Sequence, residues 1–459
     1  MTRSVVLFED HTAQNFRPLS WSLPVYELPC GVFNLRERVQ LLAERGANPF
    51  TLHLLPRTYL DPLQRLSLGA DTPVGVASCL DADLEDVLFL SARLGPDWDN
   101  LKDLIQDLAV GESRADAHGL LAWRTNRDTA RTALESWRDW DHLCETRNVW
   151  SEFNATAAPW SPGPSLSGDD ESGLGHLWHI VSQIGPSIER DQAALLDGAT
   201  LRMPDRFVFG AVMADPAASP YGGDTLARAY DLPDGVTVTP ADNVWLGEDV
   251  ALSPGVVIDA SRGPVILDRG VHVLPHVYLE GPLYLGCGVR VKAGATLYGE
   301  TSVGRACRVS GEIAESQLLP YMNKQHAGFL GHAVVGGWVN LGADTTNSDL
   351  KNNYGTIKVN FGQGPVDTGS RFVGLMRGEH AKSAIGTTFN TGTTVGFSSN
   401  VFAAGFPRTC LGNYTWGDGR GRRFYDADRA IEVARIVMTR RDCRFTDAHE
   451  ALFRRLAGA

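Results

Sequence analysis

From residue 237 onward the apolar positions fall into a period of six. Leu246, Leu252 and Ile258 are six apart, and after a short insertion the phase resumes at Leu267, Val273, Leu279, Leu285, Val291, Leu297, Val303 and Val309. A second small or branched position lies four residues further on, at Val271, Val277, Leu283, Val289, Ala295, Thr301, Cys307 and Ile313, so the unit reads L-x-x-x-V-x. The phase recurs at Phe329, Val335 and Leu341 and again at Ile385, Thr391 and Phe397. Six matches neither a helix nor a plain alternating strand. It predicts one flat face of a triangular coil per repeat, with the aliphatics stacked along the axis of a β-solenoid. Chance Val/Leu spacing in an all-β sandwich is the competing account. Eight consecutive in-phase positions weigh against it.

The first 150 residues have another texture. Val5-Val6-Leu7-Phe8 and Val87-Leu88-Phe89-Leu90 read as buried strands, and Leu35 to Ala43 as a helix between them. This alternation predicts an α/β layer over 1–150. Residues 151–175, rich in Ser, Pro, Gly and acids, have linker chemistry, with a long surface loop as the alternative. Residues 176–200 suit helices bridging the two halves, and 151–236 is read as linker plus bridge. The solenoid is expected over 237–415. One or two amphipathic helices between Asp426 and Ala459 are expected to cover its open end, within a cap over 416–459.

The chain of 459 residues is 43% hydrophobic and 21% charged, with a net charge of −12. The acidic balance argues against a nucleic-acid binder, although a few local Lys and Arg suffice for a phosphate. The seven cysteines are scattered without a CxxC pair, so neither a zinc site nor a disulfide framework is expected. With no apolar run of signal-peptide or membrane-span length, the expectation is a cytoplasmic protein with no membrane partner.

Regular coils need only aliphatics, so two polar clusters in the repeat call for explanation. One is Asn323-Lys324-Gln325-His326-Ala327-Gly328-Phe329-Leu330-Gly331; the other runs from Trp338 through Asn340, Ala343 and Asp344 to Lys351-Asn352-Asn353-Tyr354. HAGFLG, the spacing of fourteen residues from His326 to Asn340, and NNY resemble the acetyltransferase part of GlmU-type bifunctional enzymes, which join glucosamine-1-phosphate N-acetyltransferase to N-acetylglucosamine-1-phosphate uridylyltransferase. Gly328–Gly331, Asn340–Tyr354, Phe389–Gly396 and Gly405–Arg408 together resemble a GlmU-like family of sugar nucleotidyltransferases, over about residues 240–445.

That resemblance implies a left-handed parallel β-helix of the hexapeptide type, a homotrimer, acetyl-CoA as co-substrate and an amino-sugar phosphate or nucleotide sugar as acceptor. It casts His326 as the base, with Glu312 orienting its ring. Asn340, Lys292, Lys324 and Lys351 become substrate contacts, and Ala343, Asn353 and Tyr354 acyl-CoA contacts. An imidazole suits the role, because the amine must be neutral to attack a thioester at neutral pH. The plainer readings are a surface histidine, solvated lysines and an asparagine capping a coil turn. Phe329 stands where the GlmU-type pattern has Tyr.

In the first domain Glu9, Asp10, Pro18, Leu19, Pro24, Glu27, Gly31 and Glu37 match the family's anchors. A Gly-rich phosphate loop is absent, Leu23 and Pro29 replace arginines, and Arg93 stands where active pyrophosphorylases hold a Mg-binding Asp. Phosphoryl transfer without that carboxylate lacks its main electrostatic catalyst. A degenerate nucleotidyltransferase-like (Rossmann-like) domain is therefore expected, needing Mg only if active, with Arg17, Arg36 and Arg93 as candidate phosphate contacts. The alternatives are a working sugar-1-phosphate nucleotidyltransferase whose solenoid oligomerises and regulates, and a non-catalytic sugar-nucleotide sensor or scaffold.

Overall fold

The computed structural model describes residues 3–45, 49–68, 73–81, 85–136, 158–159, 173–203, 208–213, 225–229, 232–421 and 423–458. Most of the predicted linker over 151–175 lies outside them. No helix among them is long and apolar enough to cross a membrane.

The N-terminal layer is a six-stranded sheet. Its strands are β1 (Arg3–Phe8), β2 (Phe50–Leu55), β3 (Asp86–Ser91), β4 (Ser113–Asp116), β5 (Gly119–Asn126) and β6 (Ala158–Pro159), in the order β2-β1-β3-β5-β4-β6. β1 runs parallel to β2 and β3, and β5 antiparallel to β3. The apolar run Val5–Phe8 is wholly buried because β1 is central and covered on both faces. Val5 and Leu7 face the larger core, and Val6 and Phe8 pack with Trp123, Ala130 and Leu134 on the other side.

The C-terminal half is a parallel β-helix. Val265, Leu283 and Thr301 occupy equivalent strand positions in successive coils, eighteen residues apart, as three six-residue faces require. Every predicted axial residue from Leu267 to Val309 is buried to 1% exposure or less. Beyond Val309 the phase changes. Ser302 pairs with Gln317 and Gln317 with Val334, which shortens two coils, and then Val334 pairs with Met376 across a long insertion. The shortened coils shift the inward positions, so three expectations are corrected. Ile385 is 79% exposed, Phe329 is half-buried while Leu330 turns inward, and Phe397 packs against the C-terminal helices. Lys324, Asn347 and Arg377 occupy inward positions instead, in register with Val309, Phe389 and Val335 respectively.

The outward row on one of the three β-helix faces is largely apolar, including Trp245, Ile266, Tyr284, Val334 and Met376. This row shares a core with β1 and with the helix His179–Leu195, whose Ile180, Ile184 and Ile188 form one stripe. That helix thus bridges the halves. The insertion, residues 349–373, forms an arm with an antiparallel hairpin, Lys358–Asn360 with Pro365–Asp367. It folds back onto the N-terminal layer, where Ile357 and Val359 enter the shared core and Phe361 stacks on Trp178 at 5.7 Å. The C-terminal helices, Ala427–Thr439 and Asp447–Ala457, also depart from expectation. They pack along the flank of the last coils, against Phe397, Tyr414 and the Leu60–Leu63 segment. Phe402, Phe406, Trp416 and Phe424 remain exposed near the open end.

Candidate functional site

The polar clusters meet where two β-helix faces join. Asn323–Lys324 ends one short strand and Phe329–Gly331 begins the next, leaving His326 exposed on the turn between them. Lys324 explains why the turn is held. Its side chain points inward and its ammonium donates to the carbonyls of Ser310 (2.8 Å), His326 (3.1 Å) and Gly328 (2.6 Å). Burial lowers its pKa to about 8, against the opposing pull of Asp344 and Glu312. An inward lysine spent on three carbonyls is a brace for the histidine turn. As placed, it does not reach out to a phosphate.

Glu312 lies in register with Phe329 on the adjoining face and is exposed. It makes no hydrogen bond to His326, so the structure sets the two on the same corner without joining them. Asn340 is exposed beside Asn323, one coil on. Lys292 is exposed two coils before His326. Ala343 sits in the turn above, where its carbonyl accepts from Gly386 at 2.7 Å, and Asp344 donates its backbone N–H to Ala327 at 3.1 Å. Lys351, Asn353 and Tyr354 stand at the root of the arm. Lys351 donates to the Thr356 carbonyl, Asn353 caps Gly355 at 3.1 Å, and the Tyr354 ring is 66% exposed.

A second cluster lies at the next corner and went unread in the sequence. His332 is held between Asp349 (2.8 Å from Nδ1) and Glu315 at Nε2, and its ring stacks on Phe372 at 4.9 Å. Burial opposes the charge, but the two carboxylates raise its pKa to about 9. Asp349 and Phe372 are the two ends of the arm, so His332 clasps its base. Its sequence signal is thin: Glu315 and Asp349 stand 17 residues to either side of His332, with no motif joining the three.

In the N-terminal layer the candidate arginines are committed to neighbours. Arg93 makes a bidentate pair with Asp116, both bonds 2.5 Å, and also reaches the Gly119 carbonyl. Arg36 pairs with Glu27 at 2.6 Å with both side chains buried. These two guanidiniums are structural in this geometry, which corrects the expectation that they face a ligand. Arg17 lies over the Trp21 ring at 3.9 Å. The family anchors hold the layer together. Glu9 pairs with Arg57 and accepts from the Val25 N–H, and Gly31, at φ 77°, accepts from Ser302 and donates to Gln317 on the β-helix. Glu27, Glu37, Gln317, Arg305, Asp268 and Glu379 line a cavity of about 80 Å³ between the halves.

Residues 5–200 match the family model described as sugar nucleotidyl transferase. Among curated relatives, the bifunctional protein GlmU of Rippkaea orientalis is 26% identical over 208 residues, covering 40% of this chain and 44% of that one. Its counterpart from Methylococcus capsulatus is 27% identical over 190 residues (41% and 36%), and that of Paracoccus denitrificans 34% over 140 residues (29% and 30%). The chain thus spans less than half the length of these relatives.

Proposed function

Taking as premise that the chain is GlmU-like and carries a sugar nucleotidyl transferase region at residues 5–200, we propose that it is a transferase acting on sugar phosphates or sugar nucleotides. Its β-helix, wound left-handed and trimeric, moves an acetyl group from acetyl-CoA to an amino sugar. The observation that carries this reading is the braced, exposed turn of His326. His326 is exposed where the aliphatic repeat breaks, on a turn held by the Lys324 hydrogen bonds, and Glu312 and Asp344 act electrostatically on that lysine. In the reaction the amine nitrogen attacks the thioester carbonyl, a C–N bond forms and the C–S bond breaks. His326 takes the amine proton and the thiolate leaves as coenzyme A.

The test is CoA release from acetyl-CoA by purified protein over a panel of amino-sugar phosphates. Loss of a general base costs ~10²–10⁴ in rate, so His326→Ala and His326→Gln should each lower kcat by that factor with the melting temperature unchanged. An undiminished rate in His326→Ala refutes the assignment. The match over residues 5–200 favours a second reading, sugar-1-phosphate nucleotidyl transfer, with Mg²⁺ engaged only if that layer is active. Its readout is Mg-dependent pyrophosphate release from UTP or dTTP with a sugar 1-phosphate. Inactivity in both assays would favour a sensor or scaffold.

A further inference from the structure

The three outward faces of the β-helix differ sharply. The first is covered by the N-terminal layer. The second carries Val257, Tyr278, Thr296, Glu312 and Phe329 in register, with no cation. The third carries His272, Arg290, Arg308, Asn323, Asn340, Lys382 and Asn400, each directly opposite the next. Adjacent strands lie ~4.8 Å apart, and like charges facing each other across strands are destabilising. Arg290 nevertheless faces Arg308, in a chain with 54 acidic residues against 42 basic ones.

A third guanidinium joins them from outside the repeat. Arg441, between the C-terminal helices, donates to the Ala306 carbonyl (3.0 Å) and to Asn323 Oδ1 (2.7 Å). That places it against the outward row next to Arg308. Burial and then the Arg308 charge depress its pKa. Among the described residues none of the three has a carboxylate within ion-pair distance, although arginines elsewhere in the chain are commonly paired. Arg308 Nε is buried without an acceptor among the described residues.

We propose that Arg290, Arg308 and Arg441 form a binding site for the diphosphate of a phosphorylated ligand. Planar guanidiniums that keep their charge and offer several fixed N–H donors suit phosphate oxygens better than other side chains do. Two of them one strand spacing apart can grasp linked phosphates. The site adjoins the His326 turn, since Asn323 precedes His326 by three residues. Coenzyme A and nucleoside-diphosphate sugars share this diphosphate. The site itself does not depend on the acyl-transfer reading.

Calorimetric titration of the full chain with inorganic pyrophosphate, CoA and UDP at 50 mM and 300 mM salt tests it. All probes that bind should weaken with salt. Arg290→Gln/Arg308→Gln and Arg441→Gln should each weaken them by roughly tenfold or more, whereas Arg131→Gln on the remote layer should not. Preference for CoA or for UDP identifies the source of the diphosphate. Absence of millimolar binding by all three probes, or binding unchanged in the double variant, overturns the site. The double variant should melt no lower than the parent, because it relieves repulsion. His326→Ala should leave these affinities intact, so failure of the acyl-transfer reading is told apart from failure of the site.

Discussion

The two halves of the molecule bury charge in opposite ways. The N-terminal layer buries carboxylates with arginines. Arg38 with Asp191, Arg36 with Glu27, Glu9 with Arg57 and Arg93 with Asp116 are all close pairs with little exposure. The β-helix interior has no such pairs. Lys324 is satisfied by carbonyls alone, and Arg377 lies fully buried with its guanidinium 5.5 Å over Phe389 and no hydrogen bond to the described residues. A solenoid repeats one small cross-section and can admit a cation only where backbone carbonyls or a ring receive it. A layered domain brings distant segments together and can match opposite charges.

Three changes sharpen that contrast, the largest first. Asp191→Ala would leave Arg38 buried and strip acceptors from Trp98 Nε1 and the Val32 N–H. Breaking a buried pair from one side costs ~3–5 kcal/mol, to be read by denaturant unfolding. Arg38→Met with Asp191→Leu should recover most of it, and failure to recover would show that the pair also does something packing cannot replace. Val291→Asp places a carboxylate in the wholly apolar axis with nothing to meet it and should cost ~3 kcal/mol or more. If Val291→Asp unfolded at the parent's denaturant midpoint, the axis would not be the dry core described.

The smallest effect is in pH. Burial works against ionised Asp116, but the Arg93 hydrogen bonds hold its pKa below the ordinary value. Its stabilisation is present above the unfolded pKa near ~4 and is lost as pH falls through the lower folded value. His332 runs the other way. Its folded pKa of about 9 lies above the unfolded value, so its clasp is complete below pH ~6.5 and is lost as pH rises through 9. Discounted for the solvent-facing Glu315, the clasp is worth about 1–2 kcal/mol. Unfolding free energies at about pH 2, 7 and 9.5 should fall at both ends, and His332→Gln should remove only the alkaline loss.

The axial row from Leu267 to Val309 was legible because a solenoid writes its core as a fixed period. The reading failed where coils shortened: Ile385 and Phe329 keep the written phase but not the spatial one. The inward Lys324 and Arg377 were opaque because they break the binary pattern. The His326 turn was legible as an interruption of aliphatics. The pairing of Arg93 with Asp116 and of Arg38 with Asp191 was not, since partners as far as 153 residues apart leave no local trace. Arg290 and Arg308 were hidden for a simpler reason: alternate residues of a strand face outward, and a coil of three strands scatters one face over every eighteenth position.

The arm carries a consequence for synthesis. Gln363 bonds to Gln14 across 349 residues, and the Ile357, Val359 and Phe361 side chains complete a core begun by β1 and Trp178. At ribosomal speeds of about 5–20 residues per second, the interval between the two glutamines is roughly 17–70 s. Trp178 waits the shorter stretch to Phe361, roughly 9–37 s at the same speeds, so the nascent N-terminal layer is expected to present an apolar surface to chaperones until the arm arrives to close it.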